Sequence, residues 1–143
     1  MSYRHRIVVR YGECDMQRVV FNANYFAYCD DTVDSWMRSA LAKELAAAGT
    51  STDLHALGFD FMLKTATITW HAPIRFGETV QMEARVSRWG RSSFEVAIAG
   101  RVDDPAEAAV RFEAAITYVS VDPVGQRPAP VPEFVKSALG TPS

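Results

Sequence analysis

The feature that most constrains this chain is a change of period. From Tyr25, the residues Tyr28, Cys29, Thr32, Val33, Trp36, Met37, Ala40 and Leu41 follow at i, i+3, i+4 spacing for about five turns, with Asp30, Asp31, Asp34 and Arg38 opposite. So wide an apolar stripe needs a sheet to cover it. The flanking segments alternate with period two. Residues 5–11 set Ile7, Val9 and Tyr11 against Arg6, Val8 and Arg10. Downstream, Thr65, Thr67 and Thr69 oppose Ala66, Ile68 and Trp70, and Val80, Met82, Ala84 and Val86 oppose Gln81, Glu83 and Arg85. Phe94, Val96 and Ile98 oppose Glu95 and Ala97; Ala108, Val110, Phe112, Ala114, Ile116 and Tyr118 oppose Arg111, Glu113 and Thr117. The order strand, long helix, four antiparallel strands predicts an α+β fold, one amphipathic helix on a strongly curved antiparallel sheet of about five strands.

Local signals refine this expectation. Asn22 or Asn24 is suited to N-cap the helix, and Ala-rich 41–48 extends it until Gly49. A short turn region, Ser51 to Gly58, holds one helical turn capped by Thr52. Gly90 and Asp103-Asp104-Pro105 mark hairpin turns. From about Asp122 the chain becomes Pro-rich, with Pro123, Pro128, Pro130 and Pro132. Such a tail cannot form regular ladders, so an extended segment over the domain is expected, with a short helix at 133–139. Residues 1–143 read as one domain.

Composition excludes several classes. Fifteen basic and 17 acidic residues give net charge −2, without the basic cluster of a nucleic-acid surface. No apolar run approaches the ~20 residues of a membrane span, and no signal-peptide stretch follows Met1. Cys14 and Cys29 are too few for a disulfide framework and fit a cytoplasmic protein. His5, His55 and His71 lie far apart without ligand spacing, so no metal is expected. There is no phosphate-cradling glycine loop and no nucleophile elbow.

Asp15 stands out because it falls between the first strand and the helix start. Helix N-termini carry unpaired N–H groups and a positive dipole end. A carboxylate there can attack a carbonyl or activate water while the amides polarise the oxygen. As a common turn residue, Asp15 also fits a purely structural role. Phe59, Phe61, Met62 and Leu63 fit either an acyl pocket or a buried strand. Trp36 and Met37 fit the core, and His71 a structural role.

The run Asp15-x-x-x-Val19-Val20-Phe21-x-x-Asn24-Tyr25 with Asp30 resembles the hot-dog-fold acyl-CoA thioesterases, nearest the 4-hydroxybenzoyl-CoA thioesterase-like group. Residues 58–63, 72–78, 91–94 and 121–132 extend the likeness over nearly the whole chain. The resemblance implies hydrolysis of an acyl- or aroyl-CoA thioester to free acid and coenzyme A, with no cofactor. It implies Asp15 as nucleophile or general base and the Asn22 backbone N–H as oxyanion donor. Tyr25 and Asp30 would shape the pocket with Phe61 and Met62. Arg91, with Ser92 and Ser93, would meet the coenzyme A phosphates, helped by Arg88 or Arg127. It further implies a homodimer or homotetramer with sites between subunits. One departure is Arg18, where many relatives have glycine. Two rivals remain: a hydratase of the same architecture, which would need a histidine at the site, and a non-catalytic acyl-CoA or acyl-carrier-protein binding module.

Overall fold

The computed structural model describes residues 2–102 and 109–142. The strands are β1 (Tyr3–Val8), β2 (Asp60–Trp70), β3 (Thr79–Trp89), β4 (Ser93–Val102) and β5 (Val110–Val121). Their antiparallel order is β1-β3-β4-β5-β2. The alternation sets the register. Val80 pairs with Val102, Ala84 with Ile98, Val96 with Ile116 and Phe94 with Tyr118, so the apolar members share one face. Gly100 pairs with Phe112, whose ring would lie 2.1 Å from any Cβ added at that glycine. Only a hydrogen fits there. The expected turn at Asp103-Asp104-Pro105 and the face assigned to Ala108 lie outside the described residues.

Helix α1 (Asn24–Ala40) crosses this face and buries Tyr25, Tyr28, Cys29, Thr32, Val33, Trp36 and Met37. Trp36 and Met37 therefore belong to the core. The expected asparagine cap is absent. Ala23 is the N-cap and offers no side-chain bond, while Asn24 sends its Nδ2 to the Glu13 carbonyl oxygen at 2.8 Å. A cap is worth ~1 kcal/mol, and each large buried apolar side chain ~1.5–3 kcal/mol. The stripe holds this helix without a cap.

The Ala-rich continuation is a separate helix, α2 (Ala42–Ala47), because Leu41 leaves helical geometry at φ −101°, ψ 18°. Gly49, at φ 80°, follows its end. The next turn spans Leu54–Leu57 and is capped by Asp53, which accepts the His55 N–H, and not by Thr52. Strand β1 runs from Tyr3 to Val8, short of the expected 5–11; Arg10 then opens a 3-10 turn that leaves Tyr11 exposed.

The tail follows its expected course. Val121 bridges Pro128, the Ala129 N–H donates to Ser120 O, and the Val131 N–H donates to Arg91 O at 2.9 Å. Helix α3 (Glu133–Leu139) then buries Val135 and Leu139, and Trp89 Nε1 donates to Gly140 O at 3.0 Å. No helix among the described residues is long and apolar enough to cross a membrane.

Candidate active site

Between β1 and α1 the chain makes a miniature hairpin that carries Asp15. Its N–H donates to Val19 O and its carbonyl accepts the Arg18 N–H, each at 3.0 Å, while Cys14 bridges Val20. The carboxylate joins the same turn, since Oδ1 accepts the Gln17 N–H at 2.8 Å. No hydrogen bond reaches Oδ2 among the described residues. One oxygen orients the group; the other is left to act.

Arg18 closes this turn at φ 64°. This is the left-handed conformation that glycine adopts freely, at a cost of roughly 1–2 kcal/mol for a side chain with a Cβ.

The hairpin is zipped to residues 74–76. Val20 N–H donates to Ile74 O at 2.8 Å, Val19 bridges Arg75, and Phe76 N–H donates to Arg18 O at 3.4 Å. That segment is anchored in the core. Tyr25 Oη accepts the Ile74 N–H at 3.3 Å, and buried Arg111 donates Nη1 to Pro73 O at 2.7 Å and pairs with Glu78. Burial, foremost, raises the Tyr25 hydroxyl's pKa, so it stays a neutral phenol.

On the other side, Glu13 O accepts both the Phe21 N–H and Asn24 Nδ2, fixing the helix start against the hairpin. The Glu13 carboxylate takes three bonds from Arg10 and one from the Tyr28 hydroxyl at 2.8 Å. Burial alone would raise its pKa; these hydrogen bonds and the Arg10 charge outweigh it and hold the group below its ordinary value. At the helix start, the Asn22 and Ala23 N–H groups have no main-chain acceptor among the described residues, and both residues are exposed. Such groups serve as oxyanion donors when a carbonyl reaches them.

Asp15 opens on a cleft of about 830 Å³ lined by Tyr11, Gly12, Cys14, Met16, Arg18, Arg75 and Phe76. Tyr11 and Phe76 meet edge to face at 6.0 Å, and Met16 is fully exposed. Asp30 and Phe61 instead line a second cleft of about 580 Å³, between α1 and the start of β2. There Tyr118 Oη donates to Asp30 Oδ1 at 3.3 Å. Tyr25 is buried, Met62 is half exposed, and neither lines either cleft. Arg91 is exposed in the β3–β4 turn beside half-buried Ser92 and Ser93, outside both clefts. The structure thus separates the expected site residues: Asp15 lines one cleft, Asp30 and Phe61 another, and Asn22, Tyr25, Met62, Arg91, Ser92 and Ser93 line neither. Sequence reasoning missed Arg75, Phe76, Tyr11 and Met16 as cleft residues, because a loop-to-loop bridge leaves no periodic signal.

Each histidine has a carboxylate partner: His5 with Asp31 at 2.7 Å, His55 with Asp60 at 2.9 Å and His71 with Glu113 at 2.9 Å. None lines the Asp15 cleft. Among the described residues no group of three or more His, Cys, Asp or Glu converges on a metal position.

A long helix packed on a five-stranded antiparallel sheet of this order is the architecture of the hot-dog class of α+β proteins. The chain belongs to the Thioesterase-like superfamily, whose family model matches residues 9–139. It is similar to a Zymomonas mobilis protein named an uncharacterized acyl-CoA thioester hydrolase, with 30% identity over 95 residues. That match spans 65% of this chain and 63% of the relative's length. Among solved structures, a mutant 4-hydroxybenzoyl-CoA thioesterase complexed with 4-hydroxybenzoyl-CoA superposes with TM-score 0.83 at 14% identity, covering 97% of this chain and 99% of that one. A 1,4-dihydroxy-2-naphthoyl-CoA thioesterase from Synechocystis gives TM-score 0.77 at 18% identity over 97% and 96% of the two chains. At these identities the likeness establishes the hot-dog fold.

Proposed function

We propose that this chain hydrolyses an acyl-CoA thioester to a free acid and coenzyme A. The observation that carries the reading is Asp15: one oxygen is fixed by the Gln17 N–H and the other is open to a cleft. The family match and the names of the relatives support thioester chemistry. In the reaction the Asp15 carboxylate attacks the thioester carbonyl or takes a proton from the attacking water. The carbonyl oxygen becomes an oxyanion held by the helix-start N–H groups at Asn22. The carbon–sulfur bond then breaks and coenzyme A leaves as its thiolate. The thiolate takes a proton from protonated Asp15 on the general-base route, or from water on the nucleophilic route. On the nucleophilic route a water then hydrolyses the acyl–Asp15 anhydride to the free acid. Donors of this kind are worth roughly 3–4 kcal/mol each in the transition state.

Arg18 gave the non-catalytic binding module its best support. Arg18 stands at φ 64°, a backbone conformation that glycine also adopts, which is compatible with the catalytic reading. We place the protein in the cytoplasm, where two unpaired cysteines persist.

The same reading makes the active unit at least a dimer. The Asn22 amide does not line the Asp15 cleft of its own chain, so a second copy would complete the site. Among the described residues, eleven-residue β2 is an edge strand whose one strand partner is β5. An exposed edge of this length is a template for pairing with another chain. Thiol release across acyl- and aroyl-CoA substrates tests the activity, and Asp15→Asn the mechanism. Full activity in that variant sinks the role given to Asp15. Sedimentation as a monomer at assay concentration sinks the assembly.

A further inference from the structure

Arg18 stands where the backbone disfavours any side chain. Among the described residues, Arg18 and Gln126 are the two that hold a positive φ without being glycine. Strain of this kind collects at active sites, so an outlier is a pointer to function. Arg18 closes the turn that presents Asp15, its N–H bonded to Asp15 O at 3.0 Å. A β-turn keeps its end Cα atoms within about 7 Å, and Arg18 and Asp15 line the same cleft. The turn is also pinned, since Val19 bridges Arg75 and Arg18 O accepts the Phe76 N–H. Yet the two charges do not pair. Among the described residues the Arg18 guanidinium makes no ion pair or hydrogen bond, with Asp15 or any other group. By contrast, Arg10, Arg38 and Arg111 all have acidic partners. A cation beside the acting carboxylate, and not bonded to it, is free to meet a third group.

We infer that Arg18 is a further catalytic residue, whose guanidinium donates N–H hydrogen bonds to the substrate's sulfur as the carbon–sulfur bond breaks. This rests on the thioesterase reading above. In that reaction negative charge leaves Asp15 and appears on two substrate atoms in turn, the carbonyl oxygen and then the sulfur. The oxygen is held by the helix-start N–H groups at Asn22 in that reading; the sulfur is the charge still without a donor. When the tetrahedral intermediate collapses, the electron pair of the carbon–sulfur bond goes to sulfur and the neutral thioether-like atom becomes a thiolate. Hydrogen bonds from a charged donor strengthen as their acceptor becomes an anion. A guanidinium stays protonated throughout, so Arg18 stabilises the thiolate without protonating it. The proton arrives afterwards from protonated Asp15 or from water, as above. Its exposure suits the role, because the thiol is the product that departs into water.

The test varies the leaving group. Arg18→Gly, Arg18→Asn and Arg18→Lys are compared with the wild type on one acyl group carried by coenzyme A, by pantetheine and by a nitrothiophenol. Glycine and asparagine both tolerate the left-handed backbone, so these two variants fold. On both alkyl thioesters they are expected to lose about tenfold in kcat, equivalent to ~1.4 kcal/mol. KM changes by less than about twofold, the pattern of a contact made only in the transition state. On the aryl thioester, whose acidic thiol departs as a thiolate unaided, the loss falls below about twofold, as Brønsted behaviour requires. Arg18→Lys keeps a cation at the same place and recovers most of the loss on the alkyl thioesters. Equal losses on all three thiols overturn the assignment, because a merely structural role would not follow the leaving group. A loss on coenzyme A that disappears on pantetheine also overturns it, since the contact would then be to phosphate. Leaving-group dependence in Arg75→Gln and not in Arg18→Gly transfers the role to Arg75. Absence of thiol release by the wild type from any thioester overturns the thioesterase reading itself, and this assignment with it.

Discussion

The dipeptide Cys-Asp occurs at positions 14–15 and again at 29–30, in two different settings. In α1 the helix buries Cys29 completely and turns Asp30 outward, so the thiol serves the core and the acid faces the second cleft. In the hairpin Cys14 and Asp15 are both half-buried, and both line the same cleft. Asp15 is oriented by its own turn, through a main-chain donor two residues away. Asp30 depends on Tyr118, 88 positions along the chain. A group held by adjacent backbone is stiff and insensitive to distant repacking; one held by a remote side chain moves when that side chain is lost.

The comparison can be broken most directly in kinetics. Asp15→Asn is expected to lower kcat by about 10²–10⁴, the range for removing a positioned acid or base. Asp30→Asn should cost no more than about tenfold, equivalent to one charge-assisted contact of ~1.4 kcal/mol. Equal losses would make the two acids one site.

Next in size are the anchors. Tyr25→Phe strips the partner from a buried Ile74 N–H, at a cost of ~1–3 kcal/mol, and loosens the segment that frames Asp15. Tyr118→Phe frees an exposed carboxylate and should cost about 1 kcal/mol or less. Urea midpoints with unchanged slopes would measure both. If Tyr25→Phe leaves both kcat and stability untouched, the link from core to hairpin is wrong.

Thiol labelling sharpens the contrast further. Burial, with Asp30 adding to it, pushes the Cys29 thiol up to about 12, and burial likewise raises Cys14, helped by Glu13 and Asp15. A neutral disulfide reagent should therefore modify half-buried Cys14 slowly and Cys29 only on unfolding. Simultaneous labelling of both would mean that α1 opens.

The smallest effect is in stability. Arg18→Gly relieves the positive φ and should raise the melting temperature by about 3 °C, as expected for roughly 1 kcal/mol in a domain of this size. A lowered melting temperature would show that the arginine stabilises its turn by contacts of its own.

Much of this architecture was legible because its determinants are periodic. The alternation at Val80–Val86 and Phe94–Ile98 named the inner face of the sheet, and the spacing from Tyr25 to Met37 named the buried face of α1. The asparagine cap failed because Asn24 is claimed by a carbonyl 11 residues earlier. Thr52 lost its cap to Asp53 because the turn starts one residue later than composition suggested. At the site, Asp15 was legible from its place between strand and helix. Arg75 and Phe76 were not, because their approach to the hairpin follows from the course of the whole sheet. The separation of Asp30 and Phe61 from Asp15 was equally hidden, being a matter of which end of α1 each faces.

The tail has a consequence for the order in which the molecule can be made. Val131, Val135 and Leu139 are core residues, yet the ribosome adds them after every strand is complete. Until they arrive, the meander emerges with part of its apolar interior open to water. Such unsealed sheets are the species that aggregate or recruit chaperones during synthesis. A stalled product ending near Pro128 would be a nearly finished sheet with its last seal missing, and it should behave in a cell as an unfolded client.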